Sequence, residues 1–165
     1  MESIEFKEMT EEYLPEVLEL YNYYVLNTTA TFHTTPLTLA EMREILFFDN
    51  PKFKTFVILI GGTVCGYAIA AQFKKREAYD STAEATVYLK PEYTGKGIGD
   101  QAVKYIEEYA LTQDFHTLIA LICGENMQSI GVFEKNGYEK CAHYKEVGKK
   151  FGKWLDVVAY QKTIS

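Results

Sequence analysis

The feature of this sequence that most constrains its fold is a glycine-rich segment, Gly95-Lys96-Gly97-Ile98-Gly99, which lies between a strand-like run and a helix-like run. Glycine tolerates positive φ and lets the backbone approach a ligand closely. The first amides of a helix have no intrahelical acceptor and lie at the positive end of its dipole. The segment therefore predicts an anion-binding turn suited to phosphate, with Lys96 adding positive charge at its rim.

Two familiar phosphate-binding motifs do not match this glycine segment. A P-loop ends with Lys followed by Ser or Thr, whereas here Gly99 is followed by Asp100. A dinucleotide-binding fingerprint opens an early βαβ unit, whereas this segment comes deep in the chain, after a hairpin signal at Gly61-Gly62. Both motifs are disfavoured, and a purely structural glycine turn stays open as an alternative.

Hydrophobic periodicity and capping residues predict the element order β-α-α-β-β-β-α-β-α-β-β. Thr10, Thr38 and Asn126 each precede a helical pattern as candidate N-caps, and Gly137 is placed to end the last helix. Gly148 predicts the turn between the final two strands. The sequence therefore predicts an α/β fold with a single mixed, mostly antiparallel sheet flanked by helices on both faces.

Bulk composition predicts one soluble domain spanning residues 1–165. The chain is 47% hydrophobic, which suffices for one substantial core, and no apolar run approaches the roughly 20 residues of a membrane span. The amino-terminal residues lack the basic start of a signal peptide. The formal net charge of -6 argues against nucleic-acid binding, because phosphate contacts need a concentrated basic surface.

Cysteine and histidine usage predicts neither disulfides nor a metal site. Cys65, Cys123 and Cys141 are an odd number without CxxC spacing, which favours a reducing compartment. The three histidines are dispersed and lack metal-ligand spacing. We therefore expect a cytoplasmic protein with no metal, no nucleic-acid partner and no membrane contact.

Two motifs resemble the GNAT superfamily of N-acetyltransferases at that superfamily's spacing. One is Val87 to Pro91 running into the glycine segment, and the other is Asn126 to Tyr138. More narrowly, Thr29 to Phe32, Ala83 to Tyr88 and Val147 to Val157 resemble the phosphinothricin and methionine sulfoximine acetyltransferases. The resemblance covers essentially the whole chain and implies acetyl-CoA as the acetyl donor and a homodimer.

The resemblance also implies a set of cofactor contacts. Backbone amides of the glycine segment and the residue after it bind the pyrophosphate, a strand pairs with the pantetheine arm, and the start of a later helix contacts that arm from the far side. These residues are Val87, Tyr88, Leu89, Gly95, Lys96, Gly97, Ile98, Gly99, Asp100, Asn126 and Ser129. For Asn126 a plain helix N-cap is an equally good interpretation, and the two roles do not exclude each other.

Three positions depart from the superfamily's pattern. Thr94 stands where a Gln or Arg commonly contacts phosphate, and Phe133 stands where many members have a tyrosine that protonates the departing thiolate. Phe151 stands where the phosphinothricin enzymes have a histidine, whereas the methionine sulfoximine type resembles this chain in having phenylalanine. The methionine sulfoximine subgroup is therefore the closer match.

Acetyl transfer to an amine needs a base for the amine proton and a donor to the oxyanion. Strand alternation places Glu84, Thr86 and Tyr88 on one face of their strand. The resemblance implies that Glu84 is the general base, acting through a water, and that the amide of Tyr88 or Leu89 is the oxyanion donor. The alternatives are a solvated or salt-bridged strand residue for Glu84 and core packing for the Tyr88 side chain.

Aromatic segments are expected to form the acceptor site. Thr31, Phe32, Trp154 and Asp156 resemble pocket residues of the subgroup, in which Phe32 and Trp154 would enclose the side chain of a small amino acid. Arg76 is the candidate partner of the acceptor's carboxylate, because a planar guanidinium matches carboxylate geometry. A solvated basic turn is the alternative for Arg76.

The resemblance implies an enzyme that transfers acetyl from acetyl-CoA to the primary amine of a small amino acid or analogue, such as methionine sulfoximine or phosphinothricin, by direct attack in a ternary complex. Acetylation of a polyamine, a peptide or a protein amine is an alternative that favours an open groove. A catalytically weak acyl-CoA-binding module is a second alternative, motivated by Thr94 and Phe133.

Overall fold

The computed structural model describes residues 3–165 and contains a seven-stranded sheet with four α-helices. The elements follow the predicted order: β1 (Ile4–Glu8), α1 (Leu14–Asn27), α2 (Leu39–Leu46), β2 (Lys54–Ile60), β3 (Thr63–Gln72), β4 (Thr82–Leu89), α3 (Ile98–Thr112), β5 (Thr117–Cys123), α4 (Met127–Lys135), β6 (Glu139–Lys150) and β7 (Lys153–Thr163). Three short 3₁₀ helices, at Glu11–Tyr13, Glu77–Tyr79 and Pro91–Tyr93, were not predicted.

Two of the three predicted N-caps are present as side-chain hydrogen bonds. Thr38 accepts from the amide of Glu41, whose carboxylate in turn accepts from the amide of Thr38, so α2 begins with a capping box. Asn126 accepts from the amide of Ser129 at the start of α4. The cap predicted at Thr10 is wrong, because a 3₁₀ turn intervenes and its hydroxyl bonds a glutamate side chain instead.

The sheet has the order β1-β2-β3-β4-β5-β7-β6, and every neighbouring pair is antiparallel except β4 and β5. Helices α1 and α2 bury Val17 and Met42 against one face, while α3 and α4 bury Ile106 and Phe133 against the other. The predicted mixed sheet with helices on both faces is therefore confirmed. No helix within residues 3–165 has the length and apolar character needed to cross a bilayer.

The parallel pair in the middle of the sheet is incomplete. Strands β4 and β5 pair only from Thr82 to Glu84 against Thr117 to Ile119, while each strand is fully paired on its other side. Beyond Glu84 the two strands diverge, which leaves one edge of β4 from Ala85 to Leu89 without a strand partner. The divergence opens the sheet directly in front of the α3 amino terminus.

The turn predicted at Gly148 lies elsewhere. Lys150 pairs with Lys153, and the two-residue connection is Phe151 and Gly152, with φ of 52° and 75°. A two-residue hairpin turn with this geometry has positive φ at both positions, and positive φ is unfavourable for phenylalanine. The pairing of β6 with β7 holds Phe151 in this conformation. Gly148 instead lies within β6, opposite Leu155.

Gly66 lies opposite Leu89, at the far end of the unpaired β4 edge, and allows β3 and β4 to approach closely there. A Cβ at this position would overlap the carbonyl oxygen of Tyr88 and lie 2.7 Å from Cδ2 of Leu89. Because one of these atoms belongs to the backbone, it cannot move aside without displacing β4. The exact path of β4 along the opening therefore depends on glycine at position 66.

We expect Gly66→Ala to destabilise the protein by about 1–3 kcal/mol, the usual cost of overpacking a well-packed site. Urea unfolding measures this difference. The matched control is Gly131→Ala, inside α4, where a Cβ would have no neighbour within 4 Å and helix propensity predicts a gain of up to about 1 kcal/mol. Equal effects of the two substitutions would contradict the close approach of β3 and β4.

Candidate active site

A cleft of about 800 Å³ occupies the opening between β4 and β5. Its walls come from the free edge of β4, the glycine segment, the end of β5, the start of α4 and the chain after α1. Of the predicted cofactor residues, all but Lys96 and Ile98 line this one cleft. Lys96 lies 5.7 Å from the ring centroid of Tyr93, and the Ile98 side chain is buried in the core.

The glycine segment presents backbone donors to the cleft. Within residues 3–165, none of the amides from Gly95 to Asp100 donates to a protein acceptor. Gly95 and Gly97 have φ of 73° and 83°, values that glycine adopts without strain. Because these amides converge at the positive end of the 15-residue helix α3, they form a site for an anion such as a pyrophosphate.

Asn126 lines the cleft together with the glycine segment, and its side chain has a donor that the helix cap does not use. Its Oδ1 accepts from the Ser129 amide, whereas its Nδ2 has no partner among the described residues. Nδ2 can therefore donate to a ligand in the cleft while the cap stays intact. The free β4 edge offers further backbone groups along the same line, so an extended amide-containing chain fits between β4 and Asn126.

Asp100 brings a negative charge to the anion site, and the structure neutralises it. Its carboxylate accepts from Lys104 at 2.5 Å and from Asn136 at 2.8 Å, and Lys135 lies 3.8 Å away. The hydrogen bond from Lys104, followed by that from Asn136, lowers the pKa of Asp100. The Asp100 carboxylate therefore organises two cations at the mouth of the cleft, while its amide remains a donor.

Glu84 lies at the point where β4 and β5 separate, opposite Ala71 on β3 and Ile119 on β5. It does not line the 800 Å³ cleft, but the next residues on β4 do. Burial raises the pKa of Glu84, and the charge of Lys74 opposes this shift only in part. No hydrogen bond or ion pair within residues 3–165 uses its carboxylate, so the salt-bridged alternative does not describe this residue.

Two tyrosines lie at the β4 edge of the cleft. Tyr24 on α1 lines the cleft and donates to the carbonyl of Leu89 at 2.5 Å. Tyr88 packs between Tyr21 and Tyr67 and donates to the carbonyl of Ala30, and burial raises its pKa strongly. The Tyr88 side chain is thus mainly a packing element, as the alternative interpretation proposed, while its backbone lies on the cleft wall.

The chain after α1, residues 28–33, is here called the acceptor loop. Thr28, Thr29 and Ala30 line the cleft, whereas Thr31 is buried beneath it and does not. The next residue, Phe32, packs on β6 at Gly148, where a Cβ would overlap its ring. This contact, rather than a turn, explains the glycine at position 148.

The other predicted acceptor residues lie outside the cleft. Trp154 is 61% exposed on β7, with the ammonium of Lys149 5.0 Å from its ring centroid. Arg76 is exposed, and its guanidinium has no partner among the described residues. Asp156 accepts from His143 and from the amide of Glu146, each at 2.8 Å, so its carboxylate holds β6 and is not directed to a ligand.

Sequence reasoning missed several residues of the site. Tyr24, Glu125 and Met127 line the cleft, and Lys150 is buried behind the acceptor loop. Glu125 joins the two sides, because it accepts from Thr29 at 2.5 Å and from Lys153 at 2.9 Å. Glu125 precedes Asn126 in the sequence, and this neighbourhood was the available signal for it. No local pattern predicts its hydrogen bond with Thr29, which lies 96 positions away in the chain.

Comparison with known proteins agrees with this geometry. Residues 6–159 match the family model described as an acetyltransferase (GNAT) domain. The L-methionine sulfoximine/L-methionine sulfone acetyltransferase of Pseudomonas aeruginosa is 36% identical over 152 residues, which cover 90% of this chain and 87% of that protein. The fold and the cleft therefore define a GNAT acetyltransferase, and the chain belongs to this family.

Two solved structures extend the similarity to three dimensions. A phosphinothricin acetyltransferase from Sinorhizobium meliloti in complex with AcCoA has a TM-score of 0.90 and 32% identity, with 97% of this chain and 88% of that chain covered. A ribosomal-protein-alanine N-acetyltransferase from Brucella melitensis has a TM-score of 0.86 and 33% identity, with 96% and 99% covered. The predictions of family, enzyme class and acetyl-CoA as donor are confirmed.

We expect Gly97→Ala to weaken acetyl-CoA binding roughly tenfold, because a side chain in this left-handed conformation costs about 1–2 kcal/mol. If the glycine segment relaxes to relieve that strain, its amides leave the positions from which they donate to the anion. Isothermal titration with acetyl-CoA measures the dissociation constant.

Gly62→Ala is the matched control for this substitution. Gly62 has φ of 79° and, like Gly97, an open space around its missing Cβ, but it lies in the β2–β3 turn outside the cleft. The two variants should lose similar stability, and only Gly97→Ala should change the dissociation constant. Unchanged affinity in Gly97→Ala would exclude the glycine segment as the anion site.

Proposed function

We propose that this protein acetylates the primary amine of a small amino acid or analogue such as methionine sulfoximine or phosphinothricin. The observation that carries the proposal is the partly buried carboxylate of Glu84, which has no hydrogen bond or ion pair within residues 3–165 and lies where β4 and β5 diverge. The P. aeruginosa relative is named for methionine sulfoximine and methionine sulfone, and the S. meliloti neighbour for phosphinothricin. Methionine sulfoximine and phosphinothricin each carry an α-amine and a carboxylate.

Glu84 is proposed to remove the amine proton through a water. A neutral amine is required for attack, and a carboxylate whose pKa is raised toward the working pH is a more effective base than an exposed one. Acetyl-CoA supplies the acetyl thioester when bound. The position of Glu84 one pleat before the cleft leaves room for a water between the carboxylate and an amine.

The backbone of β4 is proposed to stabilise the oxyanion. The amides of Tyr88 and Leu89 belong to the strand that borders the cleft, and a fixed backbone donor needs no rearrangement during the reaction. Tyr24 and Tyr88 are the phenols on the cleft wall, where Phe133 offers none. Of these two, the Tyr24 hydroxyl is the better candidate to protonate the thiolate, because the Tyr88 side chain is packed among other tyrosines.

The acceptor is proposed to lie between Glu84, the acceptor loop and the β6–β7 hairpin. Phe32 is 38% exposed on the surface of β6, so part of its ring is available to a small side chain. Arg76, whose guanidinium has no partner within residues 3–165, is the proposed contact for the acceptor's carboxylate. Trp154 is the proposed outer wall, whereas Asp156 is withdrawn from the substrate site because β6 occupies its carboxylate.

A homodimer and a cytoplasmic location complete the proposal. The β6–β7 hairpin exposes four large apolar side chains: Tyr144, Val147, Phe151 and Trp154. An exposed apolar group of this kind on an edge hairpin favours burial against a second copy of the chain. The three cysteines are an odd number without CxxC spacing, which favours a reducing compartment.

An amine panel tests the acceptor class. We expect the purified protein to release CoA with acetyl-CoA and methionine sulfoximine, methionine sulfone or phosphinothricin, and to do so more slowly with spermidine, with a lysine-containing peptide and with a peptide that begins with alanine. The alanine peptide represents the protein amine named for the B. melitensis neighbour. A preference for either peptide would overturn the small-molecule assignment, and binding of acetyl-CoA without any turnover would favour a binding module.

We expect Glu84→Gln to lower kcat/KM about 100-fold at neutral pH, the usual contribution of a general base. In the wild-type protein, kcat/KM should rise with pH through a Glu84 pKa that lies above the ordinary glutamate value of 4.5. This rising limb should be absent from the variant. Steady-state kinetics across the pH range measure both effects.

Stability provides the control for Glu84→Gln. Burial raises the pKa of Glu84 in the folded protein above its value in the unfolded chain. The ionised carboxylate therefore destabilises the folded protein at a pH above the folded-state pKa, and this destabilisation is absent at a pH below the unfolded-state pKa. The variant should therefore be as stable as the wild type, or more so, at neutral pH. Glu139→Gln, at an exposed position on β6, should leave kcat/KM unchanged. A Glu84→Gln variant with the wild-type pH profile would rule out Glu84 as the base.

A further inference from the structure

Lys150 at the end of β6 is buried without the partner that a buried cation usually has. Its side chain is 4% exposed, and it forms no ion pair with any residue between 3 and 165. Its ammonium donates to the backbone carbonyl of Thr31 at 2.8 Å and lies 5.3 Å from the ring centroid of Phe151. Lysine is almost never buried to this extent unless it is paired.

The ammonium group of Lys150 is a cost to the folded protein. Burial lowers its pKa, against an opposing effect of Cys123, so the folded state disfavours the charged form. Methionine has nearly the same length and fills such a space without that desolvation. Stability therefore does not explain why a lysine occupies position 150. The hydrogen bond from its ammonium to the Thr31 carbonyl is the remaining explanation.

That hydrogen bond is one of several contacts that hold the acceptor loop. Thr31 is itself 7% exposed, and its hydroxyl lies 2.5 Å from the hydroxyl of Tyr21 on α1. The preceding residue, Ala30, accepts from Tyr88 on β4, and the following residue, Phe32, rests on β6 at Gly148. The loop is thus fixed between α1, β4 and β6, and Lys150 supplies the contact from β6 to its backbone.

We propose that Lys150 is a positioning residue for acetyl transfer, whose buried ammonium fixes the acceptor loop against β6 and thereby sets the shape of the acceptor site. This inference rests on the proposed acceptor site beside Phe32. Because the hydrogen bond reaches a backbone carbonyl, it holds the loop whatever side chain stands at position 31. The same loop contributes Thr28, Thr29 and Ala30 to the cleft wall, so a shift of Thr31 moves the wall as well.

The principal groups of the donor site lie outside the acceptor loop. Lys150 does not line the cleft, and the glycine segment and Asn126 belong to other elements. Loss of the Lys150 ammonium should therefore misplace the acceptor's amine with respect to the thioester, while acetyl-CoA still binds. A misplacement of about 1 Å typically costs up to 100-fold in rate.

Lys150→Met is the variant that tests the proposal. We expect kcat/KM for the acceptor to fall roughly 10- to 100-fold, while the dissociation constant of acetyl-CoA stays within about threefold of wild type. The melting temperature should stay within a few degrees, because loss of one hydrogen bond offsets relief of the buried charge. Lys145→Met, on the exposed face of the same strand, should behave as wild type in all three measurements.

Two further measurements separate positioning from general damage. Lys150→Arg, which keeps a donor and a charge, should recover part of the lost kcat/KM. Hydrogen exchange of amides in residues 28–33 should accelerate in Lys150→Met, whereas exchange within α3 should not. If Lys150→Met has too little folded protein for kinetics, Lys150→Arg and its exchange pattern decide the question.

Wild-type kcat/KM in Lys150→Met would overturn the proposal, and so would a loss of activity accounted for entirely by weaker acetyl-CoA binding. The kinetics use whichever amine of the panel the wild-type protein acetylates fastest. Failure of the small amino acid assignment would appear in the wild-type panel itself, whereas failure of the Lys150 proposal would appear only in the comparison between variants.

Discussion

The rest of this structure depends on the separation of β4 and β5 after only three paired residues. Each strand keeps its full ladder on the far side, so the sheet remains continuous while one edge of β4 is left free. The opening places unpaired strand backbone, the amino terminus of α3 and the cap of α4 around one space. A fully paired parallel strand would have satisfied those backbone groups and left no site.

The two halves of the site are built from different kinds of contact. The donor half relies on backbone: free amides of the glycine segment, the β4 edge and an asparagine whose oxygen also caps a helix. The proposed acceptor half relies on side chains from distant parts of the chain, including Glu84, Phe32 and Lys150. Backbone sites depend on conformation and tolerate sequence change, whereas side-chain sites select a particular ligand. This difference explains why the fold alone identifies acetyl transfer but not the amine.

Local patterns predicted the elements well and long-range contacts poorly. The capping box at Thr38 and the cap at Asn126 were predictable because all their atoms lie within four residues. The turn predicted at Gly148 was wrong, because this position is glycine for a different reason: a side chain there would overlap the ring of Phe32, more than 100 residues earlier in the chain. No local pattern predicts the burial of Lys150, because the carbonyl that accepts from its ammonium belongs to Thr31, 119 residues earlier. Asp156 was read as a substrate contact, although its carboxylate bonds β6.

The sequence by itself determined the order of elements, the glycine-rich turn before α3 and the family, since these depend on periodicity, glycine conformation and spacing along the chain. Only the tertiary structure decided where β4 and β5 part, that Lys150 is buried, and which backbone groups border the cleft. These properties arise from contacts between residues far apart in sequence, and desolvation of a charge such as that of Lys150 exists only once the chain has folded around it.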